Sequence, residues 1–231
     1  MKKSEIYDYS SVEHNDQGKL CIRVNLAGQE IELPMQSVRT TTEELLLAWV
    51  DAKREEVTNF GALALADLLD QIQPNLVLSP FSSKSIPMAK QAVDHWNNRH
   101  DRNVPLLTMY GGINPEQVKF QAGSDGFFLS YNPVTSTQQA KYIGLSQSQA
   151  QVIHRELTQG NTIVILDDVY GTGATANAMR EIIRLSTENN IPDFQLPVLV
   201  VAREVEGEYE GQEIETVFAS IILPIIRNSL E

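Results

Sequence analysis

The 231-residue sequence predicts an α/β fold with a mostly parallel sheet flanked by helices. Beyond residue 59, short apolar runs of strand length alternate with amphipathic segments of helical period: NLVLSP, SIPMAKQAVDHWNNRH, VPLLTMY, TIVIL, ATANAMREIIRLSTENN and LPVLVVA. This alternation is typical of parallel sheets, because parallel strands need a crossover that is usually a helix. The length is enough for one such core with an added subdomain.

The composition narrows the class of protein. A hydrophobic content of 42% is that of a globular protein, and no apolar run is long enough to span a bilayer. The N-terminal residues MKKSEIYDYSSVEH contain no apolar segment, so we expect no secretory signal and a cytoplasmic location. The formal net charge of -12 argues against nucleic acid and anionic membranes as partners.

Cysteine and histidine, the usual ligands of structural zinc, are sparse. The single cysteine, Cys21, excludes an intramolecular disulfide and a thiolate zinc cluster. The four histidines show no HExxH-type spacing. A metal ion, if the protein uses one, should therefore have oxygen ligands, as Mg²⁺ does.

The first part of the chain predicts a small elaboration. LCIRVNL and QEIEL alternate in polarity around Ala27 and Gly28, which predicts a hairpin. In TTTEELLLAWVDAKREEV, Thr41 and Glu44 form a capping-box pattern, which predicts a helix. FGALALADLLDQI predicts a second helix that ends before Pro74. We divide the chain into residues 1–58, a hood-like hairpin and helix, and residues 59–231, the α/β core with C-terminal strands.

The segment from Gly111 to about Gln151 is polar and rich in Ser, Thr and Gln. GFFLSY within it predicts a strand, and we interpret much of the remainder as a mobile loop, which in a compact domain is usually functional. After LPVLVVA, the segment IETVFASIILPII predicts one or two final strands.

Two adjacent aspartates mark the candidate site. In TIVILDDVYGTGAT, Asp167 and Asp168 follow a buried strand at the end where open α/β folds bind ligands. Residues 171–175 then turn into a helix N-terminus, which offers backbone N–H groups and hydroxyls to an anion. Carboxylates for a diol beside a phosphate cradle indicate a site for a ribose phosphate. No lysine follows the glycines, so the turn is not a Walker P-loop. The alternative is that the aspartates only end a strand and cap a turn.

LDDVYGTGAT resembles the phosphoribosyl-pyrophosphate (PRPP) motif of the type I phosphoribosyltransferases, and the match covers the whole motif. The resemblance implies the corresponding α/β fold, with the PRPP site in residues 59–231. It also implies that Asp167 and Asp168 are catalytic, hold the ribose hydroxyls and position Mg²⁺. The residues that would wrap the 5-phosphate are Tyr170, Gly171, Thr172, Gly173, Ala174 and Thr175.

A second segment supports the same resemblance. KSIPMA is similar to the Lys-Gly-Ile-Pro-Leu-Ala stretch of orotate phosphoribosyltransferases, and it follows the strand NLVL in the order that the family requires. The resemblance implies a pyrophosphate loop made of Ser82, Ser83, Lys84 and Ser85. Ser85 stands where the family has glycine. The alternative is a polar turn before a helix, with a solvated lysine.

Two further sets of residues are candidates by resemblance. Family members cover the reacting centre with a loop placed before the PRPP motif, and Lys141 in AKYIGLSQSQ is the candidate catalytic lysine of that loop. The alternative is an exposed surface lysine. VLVVAREVEG resembles the strand and turn with which purine-type members bind the base, which makes Arg203 and Glu204 candidate base-binding residues.

The resemblance implies a Mg²⁺-dependent transferase of nucleotide salvage, a homodimer that moves phosphoribose from PRPP to a nucleobase and releases pyrophosphate. Purine is the favoured base. The alternative function is a non-catalytic regulator of the same fold that senses PRPP. A third reading, a phosphatase-like enzyme with Asp167 as nucleophile, is disfavoured because the sequence lacks an Asp-x-Asp pattern.

Overall fold

A computed structural model of the chain describes residues 4–39, 44–82, 85–132, 140–187, 196–207 and 214–228. Within these residues it contains five α-helices: α1 (Glu55–Ile72), α2 (Ser85–His100), α3 (Pro115–Ala122), α4 (Gln147–Thr158) and α5 (Ala174–Ser186). None of these helices is long and apolar enough to cross a membrane.

The same residues contain thirteen strands. They are β1 (Glu5–Ile6), β2 (Val12–His14), β3 (Leu20–Leu26), β4 (Gln29–Arg39), β5 (Glu44–Ala48), β6 (Leu76–Ser79), β7 (Leu106–Thr108), β8 (Tyr110–Gly112), β9 (Phe127–Tyr131), β10 (Lys141–Leu145), β11 (Ile163–Tyr170), β12 (Val198–Glu206) and β13 (Val217–Asn228).

The main sheet is mixed, with a parallel centre. Its strand order is β2-β3-β4-β5-β13-β12-β11-β6-β7, and β1 pairs with β13. The neighbours from β13 to β7 are all parallel, whereas β2 to β5 are antiparallel and join the centre through the β5–β13 pair. The predicted fold class, a mostly parallel sheet flanked by helices, is confirmed.

Helices cover both faces of the parallel centre. Helices α1 and α2 pack on one face through a cluster that includes Leu65 and Trp96, and α4 and α5 pack on the other through Ile153 and Met179. The central strands are apolar on both faces because both faces are covered. In β6, for example, all four residues are buried.

The N-terminal strands extend this sheet. Strands β3 and β4 form the predicted hairpin, and its turn residues Ala27 and Gly28 both have positive φ, at 51° and 84°. Such φ values match the twist of the paired strands. Ile22 and Leu33 of the hairpin belong to the same apolar cluster as α1, so residues 1–58 share a core with the rest of the chain.

The helix predicted for TTTEELLLAWVDAKREEV is wrong. Its Leu45 to Leu47 lie in strand β5, between β4 and β13, and a helix begins only at Glu55. Thr41, the proposed cap, lies outside the described residues. Three consecutive leucines suit a strand with partners on both sides, and these long-range pairings override the local helical pattern. The second helix is confirmed as α1.

The mobile loop predicted from Gly111 to Gln151 is also wrong for most of its length. This segment forms β8, α3, β9, β10 and the start of α4, and β8-β10-β9 make a second, antiparallel sheet. Small residues allow the close packing: a Cβ on Gly144 would lie 2.9 Å from Val118 Cγ1 of α3. The shortage of large apolar residues therefore reflects tight packing rather than a loop. Residues 133–139 lie outside the described residues.

Candidate active site

Most of the predicted site residues line one cleft of about 490 Å³. It lies at the carboxyl ends of the parallel strands β6, β11 and β12. Its walls come from β4 and β5, the loop after β6, strands β8 to β10, the β11–α5 turn and the end of β12. The position agrees with the general rule that open α/β sheets bind ligands beyond the carboxyl ends of their strands.

The two aspartates occupy a break in the alternation of strand β11. Val164 and Leu166 face the α1–α2 cluster, but so does Val169, and Tyr170 faces the opposite cluster. A regular strand would place residues 164, 166, 168 and 170 on one face. The sequence indicated that the strand ends before the aspartates, but β11 extends through both of them. The break brings Asp167 and Asp168 together into the cleft.

Local hydrogen bonds fix both carboxylates. Asp167 Oδ1 accepts a bond of 3.0 Å from the Asp168 N–H, and Asp168 Oδ1 accepts one of 3.0 Å from the Val169 N–H. Burial, followed by the negative charge of Asp168, raises the pKa of Asp167 well above its ordinary value. A bound ligand that donates hydrogen bonds or carries positive charge would favour the ionised pair.

Ser85, which follows the turn after β6, acts on Asp167 of the acid pair in β11. Its side chain is 1% exposed at the start of α2, and its hydroxyl lowers the pKa of Asp167, which partly opposes the shift from burial. Yet Ser85 Oγ has no partner with hydrogen-bond geometry. Buried hydroxyls normally have one, and a polar ligand between the two loops would supply it.

The remaining residues of the predicted pyrophosphate loop are only partly described. Ser82 lines the cleft, and its carbonyl accepts the Ile86 N–H at 3.1 Å. Ser83 and Lys84 lie outside the described residues. Strands β6 and β11 pair directly, in parallel, so the turns that follow them lie side by side.

The predicted phosphate loop has the features of an anion site. Helix α5 begins after Gly173, which has a φ of 76°, and no side chain caps this helix. The amides of its first turn therefore point to the cleft without a side-chain acceptor, at the positive end of the helix dipole. Tyr170 packs beneath this turn, where a Cβ on Gly173 would collide with its ring and hydroxyl.

Only one of the two candidate base-binding residues, Arg203 and Glu204, lines the cleft. Glu204 lines the cleft, and a Cβ on Gly171 would lie 2.9 Å from Glu204 Oε2. Burial, followed by the charge of Asp168, raises the pKa of Glu204 to about 7. Arg203 is only 6% exposed and is not among the residues that line the cleft.

Lys141 begins strand β10, is half-buried and lines the cleft. It is the only Lys or Arg among the described residues of the cleft wall, which also contains Asp167, Asp168 and Glu204. The described part of the cleft is therefore net acidic. A polyanionic ligand would need a cation to accompany it.

The sequence analysis missed several aromatic residues of the cleft, among them Tyr131 and Trp49. Tyr131, at the end of β9, places its hydroxyl 3.5 Å from Thr175 Oγ1, and burial raises the pKa of Tyr131, with the charge of Asp167 adding to the shift. Trp49, directly after β5, also lines the cleft. The strand ending in Tyr131 was predicted, but a local pattern does not show which distant loop a strand end will meet.

The carboxylates suit Mg²⁺ only in combination with a substrate. Among the described residues there is no group of three or more His, Cys, Asp or Glu that could hold a metal ion. Asp167 and Asp168 are two adjacent carboxylates, and Mg²⁺ is commonly bound by one or two carboxylates together with substrate phosphates and water. The residues present therefore fit a Mg²⁺ ion that arrives with a phosphorylated ligand.

Comparison with known proteins gives distant structural likenesses. No protein-family model and no curated protein matches the chain. An APRTase from Giardia lamblia, complexed with 9-deazaadenine, is 13% identical, with a TM-score of 0.47 over 87% of this chain and 93% of its own. Adenine phosphoribosyltransferase from Saccharomyces cerevisiae is 10% identical, with a TM-score of 0.44 over 87% and 94%.

A purine phosphoribosyltransferase from Pyrococcus horikoshii is 12% identical, with a TM-score of 0.39 over 74% of this chain and 89% of its own. At these identities the likeness concerns the arrangement of the chain alone, and the residues of the cleft carry the functional argument.

Proposed function

We propose that this protein is a PRPP-dependent phosphoribosyltransferase of the type I class, which transfers phosphoribose to a nucleobase, with purine favoured, and releases pyrophosphate. One observation carries the proposal. Two turns with anion-binding features follow adjacent parallel strands, β6 and β11, and open into one cleft with an acid pair between them. A sugar with a phosphate at one end and a pyrophosphate at the other matches this arrangement.

The 5-phosphate would bind at the start of α5. The uncapped amides of the first turn donate to its oxygens, and Thr172 and Thr175 supply hydroxyls from the same turn. Gly173 allows the positive φ of the turn, so the backbone can approach the phosphate closely. This contact fixes the position of the sugar relative to the acid pair.

The ribose hydroxyls would bind Asp167 and Asp168. Each carboxylate has one oxygen held by a backbone N–H, which orients the group before the sugar arrives. When bound with PRPP, Mg²⁺ would neutralise charge on the pyrophosphate and so improve it as a leaving group. Asp167 and Asp168 are the residues that would hold it near the ribose.

Pyrophosphate would leave toward the start of α2. The Ser85 hydroxyl, which has no hydrogen-bond partner among the described residues, would donate to it, and Lys141 faces the cleft from β10. In the reaction the C1–O bond to pyrophosphate breaks, a C1–N bond to the base forms, and the base gives up the proton of that nitrogen. The protein acts by positioning and charge stabilisation, without a nucleophilic side chain.

The decisive experiment measures pyrophosphate release from PRPP and Mg²⁺ with adenine, hypoxanthine, guanine, xanthine, orotate, uracil or nicotinate. Release that depends on one base, together with the matching nucleotide, supports the transferase and identifies its acceptor. If calorimetry shows PRPP binding while no base gives release, the protein is a PRPP-sensing regulator instead. Absence of PRPP binding would remove both functions.

A further inference from the structure

The register of the main sheet, continued one residue beyond the end of β5, brings Trp49 toward the row that contains Glu204. Strand β5 runs antiparallel to β13, with Leu47 opposite Ile225, so Trp49, two residues further on, lies toward Leu223. Leu223 is in turn paired with Glu204 of β12. One strand therefore separates the two residues, which corresponds to about 10 Å between their backbones. Both side chains line the cleft, so an aromatic face and a carboxylate face the same space.

Glu204 is a carboxylate with no protein partner in the part of the chain that the structure describes. The structure gives it neither a hydrogen bond nor an ion pair, although its side chain is half-buried. Its near neighbours are the Gly171 backbone and the negatively charged Asp168, and neither offers it a positive charge. A half-buried acceptor of this kind gains most from a ligand that donates hydrogen bonds to it.

We propose that Trp49 and Glu204 together select the acceptor, a planar heterocycle that lies against the Trp49 ring and donates an amino N–H to the Glu204 carboxylate. This inference rests on the proposed function and adds a preference for amino-bearing over oxo-bearing bases. An oxo group in the same place would turn its lone pairs toward the carboxylate oxygens and leave Glu204 without a donor. A site built around one polar contact rejects the analogue that lacks it.

The fluorescence of Trp49 provides a direct binding assay. The chain has two tryptophans, and the other one, Trp96, is 1% exposed in the core between α1 and α2. A base that stacks in the cleft should quench Trp49 alone, and Trp49→Phe should abolish the quenching. Adenine and hypoxanthine are matched probes, because they share the same bicyclic ring and differ only in a 6-amino or 6-oxo group and in the proton that the oxo form carries on the neighbouring N1.

The experiment titrates both bases into the whole protein at pH 8, above the pKa of Glu204. The titrations are repeated with ribose 5-phosphate and Mg²⁺, so that a site completed by the sugar is also detected. We expect adenine to bind about tenfold more tightly than hypoxanthine. Glu204→Gln, which removes the charge and keeps the shape, should reduce that ratio to below about threefold.

Glu206→Gln is the matched control, because Glu206 lies two residues further along β12, is exposed and is not part of the cleft wall. It should leave the ratio unchanged. An equal ratio in the wild type and Glu204→Gln, tighter binding of hypoxanthine, or no binding of either base would overturn the proposal. Pyrophosphate release with hypoxanthine but not with adenine would leave the transferase function intact while contradicting this preference, so the two failures are distinguishable.

Discussion

The charge of Asp168 acts on Glu204 across the pairing of β11 and β12. Burial is the larger cause, but the charge of Asp168 adds to it, and the pKa of Glu204 reaches about 7. Asp167, beside Asp168, also has a raised pKa, for the same two reasons. Asp167 and Glu204 thus share one cleft in which their ionisation is unfavourable, as is common where residues are arranged for ligands rather than for stability.

We expect Glu204→Gln to stabilise the protein at alkaline pH. The pKa of Glu204 rises from 4.5 to about 7 on folding, so the folded state favours the protonated form. Below pH 4.5 Glu204 is protonated in both the folded and the unfolded state, so it does not change the free energy of unfolding. As the pH rises from 4.5 to 7 the unfolded chain ionises first, and wild-type stability falls by at most about 3 kcal/mol, a loss that persists above pH 7.

Urea unfolding at pH 4.5 and pH 8 measures this effect. The stability of Glu204→Gln relative to the wild type should increase between the two pH values. Glu206 lies in the same strand but is exposed, and its surface ion pair with Arg227 contributes little to stability. The relative stability of Glu206→Gln should therefore change little. A constant difference between the wild type and Glu204→Gln would show that burial of Glu204 does not oppose its ionisation.

Asp168→Asn should reduce pyrophosphate release by about a hundredfold or more, because an amide cannot replace a carboxylate that positions hydroxyls at the reacting sugar. The asparagine has the same shape and can still accept the Val169 N–H, so the fold should persist. Initial rates and circular dichroism measure the two effects. Asp94→Asn, in an exposed position on α2, is the control for loss of a carboxylate elsewhere. Full activity in Asp168→Asn would contradict the assigned role.

The parts of the site that sequence predicted are those that local chemistry specifies. The apolar run of β11, the acid pair and the glycine turn before α5 are contiguous, so one segment contains the strand, its end and the anion site. Ser82 and Ser85 likewise lie close in sequence to the end of β6, so the same short segment contains the strand and the candidate site residues. The convergence of the two segments follows from the parallel pairing of β6 with β11. The order of strands and helices indicated a parallel sheet, but not which strands are neighbours in it.

The walls of the cleft were not predictable in the same way. Trp49 follows a strand that exists because β4 and β13 flank it, and its local sequence has the pattern of a helix. Tyr131 reaches Thr175 only because β9 pairs with β10 in a separate sheet. Both positions depend on contacts between distant parts of the chain. Trp49, in one of these walls, is also part of the acceptor site that we propose.

Gly173→Ala should weaken PRPP binding through a steric effect. A Cβ at this position meets the Tyr170 ring and must also adopt a φ of 76°, so the turn that presents the amides of α5 has to move. The positive φ alone costs about 1–2 kcal/mol in stability. Gly160→Ala is the matched control, because Gly160 has a φ of 70° with nothing within 4 Å of the added Cβ.

Both variants should lose a similar amount of stability from backbone strain, but only Gly173→Ala should also lose PRPP affinity, by about tenfold or more. Calorimetry with PRPP and Mg²⁺, beside thermal unfolding of each variant, separates the two effects. Equal PRPP affinity in the two variants would mean that the α5 turn does not bind the phosphate.

Tyr131→Phe should raise the KM for PRPP more than it lowers kcat. The Tyr131 hydroxyl lies 3.5 Å from Thr175 Oγ1, and this contact joins the β8-β10-β9 sheet to the turn that would bind the 5-phosphate. Phenylalanine keeps the ring packing and removes only the hydroxyl, so Thr175 loses a neighbour that orients it. A neutral hydrogen bond of this kind contributes about 1 kcal/mol, which corresponds to a rise in KM of about fivefold.

Tyr9→Phe is the control for Tyr131→Phe, because Tyr9 is 71% exposed and lies outside the cleft. It should change neither KM nor kcat. If Tyr131→Phe lowered kcat with an unchanged KM, the hydroxyl would act on the reacting centre near Asp167 rather than through Thr175, since the charge of Asp167 also reaches Tyr131. The ratio of the two effects therefore decides whether the second sheet positions the phosphate or takes part at the acid pair.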